Sequence, residues 1–341
     1  MGRGIGEFVI QEYIPEWAAV ILAILTQLGD FWFLALVLGV LYWTQAEKQD
    51  EIAVVGAITL TGLGLYRGFK YLLELPRPDE PPLDPELLPW LIRVLWELTG
   101  TAGGYGFPSG HATSSTIVYF GLATVLTTIS TRRKRFAVAG TLVGIVGFTR
   151  IALGVHYLVD IIVGVAQGAV LLVVALKLLG PLRARQGTVM YALAIGMGAF
   201  YTYTSEASLE AVIVLGTALG GFAGWQLVMF ARVLVTVDRP SAGFRPLVIR
   251  GGLAAVAITP LLVAVDRFSL VPVVFGEGPP YAAGGTAGLL AIVVLIIPLA
   301  RYSERVRAIG RACRFYLFAA LRATIDGIRY IYRKLSRWYK T

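Results

Sequence analysis

The sequence contains only two histidines, and each stands beside groups that could act on a phosphoryl group. His111 follows Ser109 and Gly110. A serine at a helix start, with free backbone N–H groups and a glycine that allows close approach, is a natural anion site. His156 precedes Asp160 by four residues, so on one helix the carboxylate can orient the imidazole and support its charge. These residues predict a nucleophile and an acid next to an anion site.

Four basic residues lie within apolar stretches or at their outer ends, where charge is costly and usually functional. Lys70 and Arg77 are about two helical turns apart and therefore project from one face of a helix. Arg150 precedes His156 by six residues, whereas Arg67 lies outside the three short segments that hold the histidines and the other three cations. Two guanidinium groups, an ammonium group, a hydroxyl and two histidines would suit a tetrahedral oxyanion, and they predict phosphoryl transfer without a metal.

The composition shows what kind of protein must position these residues. Of 341 residues, 57% are hydrophobic and only 15% are charged, where a soluble domain has about 25% charged residues. This excludes a disordered chain, a disulfide-rich module and an ordinary cytosolic enzyme, and it indicates a polytopic helical membrane protein. One cysteine and two histidines are too few for a Cys or His metal cluster, so we expect no metal and no other cofactor.

Apolar stretches of about 20 residues predict the membrane spans. The first stretch, 17–44, is too long for one straight span and is interrupted at Gly29 and Asp30, which predicts a kinked helix. We interpret Asp30 as a polar residue at a helix break or outer surface rather than as part of an ion pathway. The other predicted spans are 52–75, 109–130, 136–152, 155–176, 187–204, 209–231, 249–266 and 283–300.

Basic residues predict the orientation, because positively charged loops stay in the cytoplasm. Of the 30 lysines and arginines, 23 would lie on one side of the membrane. They are Lys48 and those in 131–135, 177–185, 232–250 and 301–341. The chemistry-bearing segments would then meet on the opposite face. We expect a multi-pass cell-membrane protein with an extracytoplasmic active site and a cytoplasmic C-terminus.

Three motifs in order carry a family resemblance: Lys-x6-Arg-Pro from Lys70, Pro-Ser-Gly-His ending at His111, and Arg-x5-His-x3-Asp from Arg150. The set resembles the signature of the type 2 phosphatidic acid phosphatase and vanadium haloperoxidase superfamily, over roughly 52–176. One departure is Thr149, where the family commonly has serine. The spans indicate the integral membrane lipid phosphatase branch.

The resemblance implies a role for each matching residue. The residues alone leave open which histidine attacks. By resemblance, His156 would attack phosphorus to form a phosphohistidine, Asp160 would hold its other ring nitrogen, and His111 would protonate the leaving oxygen. The residues implied to bind the phosphoryl oxygens are Lys70, Arg77, Ser109, Gly110 and Arg150.

The fold class expected is therefore all-α: a polytopic transmembrane bundle with a six-helix phosphatase core and additional C-terminal helices. We divide the chain into 1–186 as the phosphatase core, with motifs within 70–160, 187–300 as additional helices of unknown role, and 301–341 as a basic tail. The tail predicts an amphipathic helix on anionic cytoplasmic lipids. Nucleic-acid binding is its alternative, and we expect none because a membrane is already adjacent.

The function expected is hydrolysis of a lipid phosphate or diphosphate monoester at the outer leaflet. Isoprenoid diphosphates, phosphatidate and phosphatidylglycerol phosphate all fit a pocket that recognises chiefly the phosphoryl group. One alternative is a phosphotransferase with an acceptor other than water, and another is a lipid transporter that uses the same cationic pocket without chemistry. The sequence leaves the substrate and the oligomeric state open.

Overall fold

The computed structural model describes residues 15–78, 104–178, 184–236, 244–268 and 280–302. These ranges are helical and contain no strand, which confirms the predicted all-α bundle. The helices are α1 (Glu16–Thr26), α2 (Phe31–Thr44), α3 (Gln49–Leu73), α4 (Gly110–Val125), α5 (Arg132–Ala152), α6 (Leu158–Leu178), α7 (Ala184–Thr204), α8 (Leu209–Thr236), α9 (Gly252–Phe268) and α10 (Pro280–Ile296).

The first span is broken where the sequence predicted an interruption. A 3-10 turn at Gln27–Gly29 ends α1, and Asp30 has extended backbone angles before α2 begins. The two helical pieces are bent by 50° relative to one another. The break therefore exposes backbone and polar groups at one level of the bundle, and the neighbouring helices must accommodate them.

Every predicted span coincides with a helix, but the helices differ in their capacity to cross a membrane. Within the described ranges, six are long and apolar enough to do so, or seven if the bent pair counts as one span. Helices α4 and α7 fall outside that set. Because α4 has only 16 residues, it is about 24 Å long.

Helix α3, which carries Lys70, is the most enclosed of the candidate spans. Two of its glycines make close approach to α7 possible. A Cβ on Gly64 would lie 2.6 Å from the backbone of Met197, and one on Gly68 would lie 2.3 Å from the ring of Phe200. Small residues at helix crossings are a common means of close packing in membranes. The predicted additional helices thus begin directly against the helix of the first motif.

Helix α4 approaches α6 by the same means. A Cβ on Gly164 would lie 2.5 Å from the carbonyl oxygen of Ser109, and one on Gly168 would lie 2.7 Å from that of Thr113. The N–H of Ser109 also donates to the carbonyl of Asp160 at 3.0 Å. These contacts place the start of α4, with the second motif, beside the start of α6, with the end of the third motif.

The chain forms two compact units, residues 1–295 and 296–341. Helices α7, α8 and α9 and nearly all of α10 belong to the first unit, together with the motif-bearing helices. In the second unit, the structure describes a 3-10 turn at Ile297–Tyr302. The amphipathic helix predicted for 301–341 lies almost entirely outside the described residues and stays a prediction.

Candidate active site

Six of the eight predicted site residues line one cavity of about 760 Å³ at one end of the bundle. A volume of roughly 300–1,000 Å³ is usual for a small-molecule site. Ser109 and Asp160 are fully buried and do not line the cavity. The predicted residues on the wall are Lys70, Arg77, Gly110, His111, Arg150 and His156.

His156 lies in the short loop between α5 and α6, where it is 3% exposed. Its Nδ1 is 3.2 Å from Oδ2 of Asp160, and the same oxygen accepts the N–H of Tyr157 at 3.1 Å. The sequence predicted both residues on one helix, but α6 begins at Leu158. The loop turns at Gly154, whose φ of +67° is strained for residues with a side chain. Asp160 thus holds Nδ1 and leaves Nε2 for chemistry.

Arg77 joins the first motif to the third. One terminal nitrogen is 3.3 Å from Nε2 of His156 and donates to the carbonyl of Val155 at 2.8 Å. Its Nε donates to the carbonyl of Gly104 at 3.1 Å. Lys70 donates to the neighbouring carbonyl of Tyr105 at 3.0 Å. Backbone carbonyls therefore fix both cations beside His156.

The surroundings of His156 oppose its protonation. Burial lowers the pKa of His156 well below its usual range, and the charges of Lys70, Arg150 and Arg77 lower it further. These effects outweigh the support for the imidazolium form that the sequence led us to expect from Asp160. Burial also lowers the pKa of Arg77 to about 10, so this guanidinium stays charged at neutral pH. The site combines a neutral imidazole with a fixed cation.

The start of α4 forms part of the cavity wall, but its two small residues have different surroundings. Ser109 is the N-cap of α4, and its Oγ accepts the N–H of Ala112 at 3.5 Å. Gly110 packs against Tyr66, and a Cβ at Gly110 would lie 2.4 Å from that ring. The arrangement supports Gly110 at the cavity wall, whereas direct phosphate binding by Ser109 stays a prediction.

Arg150 lies near the end of α5 and is only 2% exposed. A terminal nitrogen donates to Oγ1 of Thr26 at 3.1 Å, so the end of α1 supports this cation. At the position where the resemblance departs, the hydroxyl of Thr149 donates to the carbonyl of Val146 at 2.7 Å. That hydroxyl is engaged within its own helix.

The second histidine has a carboxylate neighbour that sequence reasoning missed. Nε2 of His111 lies 3.2 Å from Oδ1 of Asp30 at the break between α1 and α2. Among the other wall residues that we did not assign are Arg67, Ser114 and Glu210. Arg67 is one turn before Lys70 and Ser114 one turn after His111, so helical spacing could have found them. No periodic signal connects Asp30 or Glu210 with the motifs.

Fold and site together describe a multi-pass helical membrane protein with a cationic cavity that contains two histidines. Residues 51–183 match the PAP2 superfamily, in agreement with the resemblance that the three motifs carry. The match supports an enzyme of the phosphoric monoester hydrolase class. All the predicted site residues fall within the matched segment, whereas Thr26, Asp30 and Glu210 lie outside it.

Two solved structures show a partial likeness to the chain. A transmembrane PAP2-type phosphatidylglycerolphosphate phosphatase from Bacillus subtilis is 22% identical over 49% of this chain and 83% of that chain, with a TM-score of 0.39. LpxE from Aquifex aeolicus is 23% identical over 50% of this chain and 91% of that chain, with a TM-score of 0.36. No curated protein sequence matches the chain.

Proposed function

We propose that the protein is a lipid phosphatase that hydrolyses a phosphate or diphosphate monoester at the outer leaflet through a phosphohistidine. The observation that carries the proposal is the pair of His156 Nε2 and Arg77, 3.3 Å apart in a cavity that also holds His111. A neutral imidazole nitrogen beside a fixed guanidinium can attack phosphorus while the cation neutralises its oxygens.

In the first step, Nε2 of His156 forms a bond to phosphorus and the bond from phosphorus to the lipid oxygen breaks. His111 donates a proton to that leaving oxygen. Lys70, Arg77 and Arg150 neutralise the charge on the phosphoryl oxygens. Asp160, 3.2 Å from Nδ1, stabilises the positive charge that His156 acquires.

In the second step, water attacks the phosphohistidine and His111 accepts a proton from it. The bond from phosphorus to Nε2 breaks, which releases inorganic phosphate and restores neutral His156. His111 therefore acts as acid and then as base, and one cycle returns every residue to its starting state.

An apolar cavity next to the catalytic cavity supports a lipid substrate. This cavity of about 300 Å³ lies among α2, α3, α8 and α10, and Phe31 lines both cavities. It follows α2 from Phe31 to Tyr42, which is roughly 16 Å of helix. A lipid with its phosphate beside His156 could place a hydrocarbon chain there, in a groove that α8 and α10 help to form.

The distribution of charge supports an extracytoplasmic site. Helix α5 begins with the basic run Arg132–Arg135 and ends beside the catalytic Arg150. These two ends are about 27 Å apart, since a helix rises 1.5 Å per residue. If the basic end is cytoplasmic, as positive loops generally are, the cavity opens at the opposite face.

Phosphate release by the purified protein in detergent, with chelator present, tests the activity. The panel contains phosphatidate, phosphatidylglycerol phosphate and a polyprenyl diphosphate, with His156→Ala in parallel. We expect release by the wild type alone. Phosphoenzyme that forms but loses its phosphoryl group only when an acceptor is added, with the group recovered on that acceptor, would favour the phosphotransferase. Lipid transfer that His156→Ala leaves intact, with no phosphate release, would favour the transporter.

Two glycines allow a matched test of the lipid groove. A Cβ at Gly39, in the groove, or at Gly144, exposed on α5, would meet nothing within 4 Å. Gly39→Phe should raise KM for a long-chain lipid phosphate about tenfold by displacing two methylenes. It should leave a short-chain phosphate unchanged, as should Gly144→Phe for both substrates. An equal effect of Gly39→Phe on both chain lengths would contradict chain binding in the groove.

A further inference from the structure

The break between α1 and α2 contacts the catalytic helices at several points. The hydroxyl of Tyr119, on α4, donates to the carbonyl of Leu28 at 2.6 Å. A Cβ at Gly29 would lie 2.5 Å from Val146 on α5 and 3.1 Å from the ring of His111 on α4. Only a residue without a side chain allows this approach, so Gly29 brings the backbone of the break against His111.

The side chain of Asp30 does not cap α2, although its position at the N-terminus of that helix predicts that it would. Asp30 is the N-cap of α2, where an aspartate usually accepts a backbone N–H from the first turn. It makes no such bond. Its carboxylate instead lines the catalytic cavity, with Oδ1 3.2 Å from Nε2 of His111. The residue gives up a common stabilising contact of its own helix and faces the second histidine.

The two groups have few other partners. Oδ2 of Asp30 and Nε2 of His111 are both buried, and within the described residues neither makes a hydrogen bond. The two groups are therefore close, but their relative angle lies outside hydrogen-bond geometry. A small rotation of the imidazole would direct an N–H at the carboxylate. Buried groups of this kind usually find partners, and each is the nearest complement of the other.

The charges around His111 explain why a nearby carboxylate would favour catalysis. Burial disfavours the imidazolium form of His111, and the nearby cations Arg150 and Lys70 disfavour it further. The proposed chemistry needs a proton on His111 when the lipid oxygen departs. Asp30 supplies the opposite charge at the right distance. The same break supports Arg150 through Thr26, at 3.1 Å.

We propose that Asp30 is a positioning residue for His111: its carboxylate orients the imidazole and stabilises the protonated form that donates to the leaving oxygen. Asp30 lies outside residues 51–183, the segment that matches the PAP2 superfamily. The broken first span would thus be part of the catalytic apparatus and not only a membrane anchor.

The inference rests on the proposed phosphatase function, and leaving-group dependence tests it separately. A lipid phosphate releases a basic alkoxide that needs a proton, whereas an aryl phosphate such as p-nitrophenyl phosphate releases a stable phenolate. The quantity to compare is kcat/KM, which reports the first step and not the hydrolysis of the phosphohistidine that both substrates share. Asp30→Asn should lower kcat/KM about 10- to 100-fold on the lipid phosphate, within the usual range for losing part of general acid catalysis. The loss with the aryl phosphate should be less than about threefold. Asp30→Glu, which keeps the charge, should recover part of the rate on the lipid phosphate.

The control is Gln27→Ala in the same 3-10 turn. The side chain of Gln27 accepts the indole N–H of Trp32 at 2.9 Å, and the variant keeps the backbone carbonyl that accepts the N–H of Asp30 at 3.0 Å. It should keep wild-type rates on both substrates. Equal losses by Asp30→Asn on the two substrates, or no loss on either, would overturn the inference. An inactive wild type would instead overturn the proposed function. Size-exclusion elution at the wild-type volume establishes that each variant is folded.

Discussion

The two histidines of the cavity each face a carboxylate, but the two pairs are built differently. The carboxylate of Asp160 is four residues from His156 in the chain, and the two side chains are 2% exposed or less. Asp30 and His111 lie on separate parts of the bundle, and the side chains of His111 and Asp30 are 20% and 22% exposed. The first pair is enclosed and locally determined, whereas the second faces the cavity and depends on how a distant helix packs.

This difference matches the two chemical tasks that we propose. A nucleophilic histidine needs a fixed ring orientation and little contact with water. The N–H of Tyr157 helps to fix the ring, because it donates at 3.1 Å to the oxygen of Asp160 that lies beside Nδ1 of His156. An acid must exchange protons with substrate and water, so its histidine needs access. The comparison predicts that loss of the first pair slows the first chemical step with every substrate, whereas loss of the second slows that step chiefly for substrates with basic leaving groups.

The largest expected effects are those of replacing each histidine with alanine, and they differ between the two residues. His156→Ala should lower kcat about 10⁴-fold or more on every phosphate ester, since it removes the atom that attacks. His111→Ala should still form phosphohistidine from an aryl phosphate and then accumulate it, because the base for the second step is absent. Quenching with radiolabelled aryl phosphate measures the phosphoenzyme. Phosphoenzyme in His156→Ala would reverse the assignment of the two residues.

A smaller effect should distinguish the two carboxylates. Asp160→Asn should lower kcat roughly 10²- to 10⁴-fold, because the imidazole loses its orientation and the support of its charge. The factor should be the same for alkyl and aryl phosphates, since His156 attacks both. Comparison of kcat for the two esters is the measurement. A loss confined to the alkyl ester would show that Asp160 serves the acid and would remove the contrast with Asp30.

The smallest effect concerns pH. Neutral His156 is the form that attacks, and burial and nearby cations keep its pKa below the usual range. Activity should therefore fall with decreasing pH only below the usual histidine range. Lys70→Gln removes the nearby charge that lowers this pKa most, so the acid limb of kcat/KM should move to higher pH. Lys70→Arg keeps the charge and is the control. An acid limb that stays in place or moves to lower pH in Lys70→Gln would contradict this account.

The structure explains why some site residues could be predicted and others could not. Lys70 and Arg77 follow helical spacing, and His156 and Asp160 are close in sequence, so their proximity needs little tertiary information. Asp30 was interpreted from sequence as an ordinary polar residue at a helix break. The break was predicted correctly, but a break alone does not say which helix faces it.

The amino-acid sequence by itself determined the membrane class, the helical segments, the kink in the first span and the three motifs, because these depend on local hydrophobicity and short spacing. Tertiary structure decided the rest. Close glycine contacts bring α7 against α3 and the break against His111, and the C-terminal helices complete an apolar groove beside the cavity. These contacts join residues far apart in the chain. They are determined by shape complementarity between helices, which no local sequence pattern encodes.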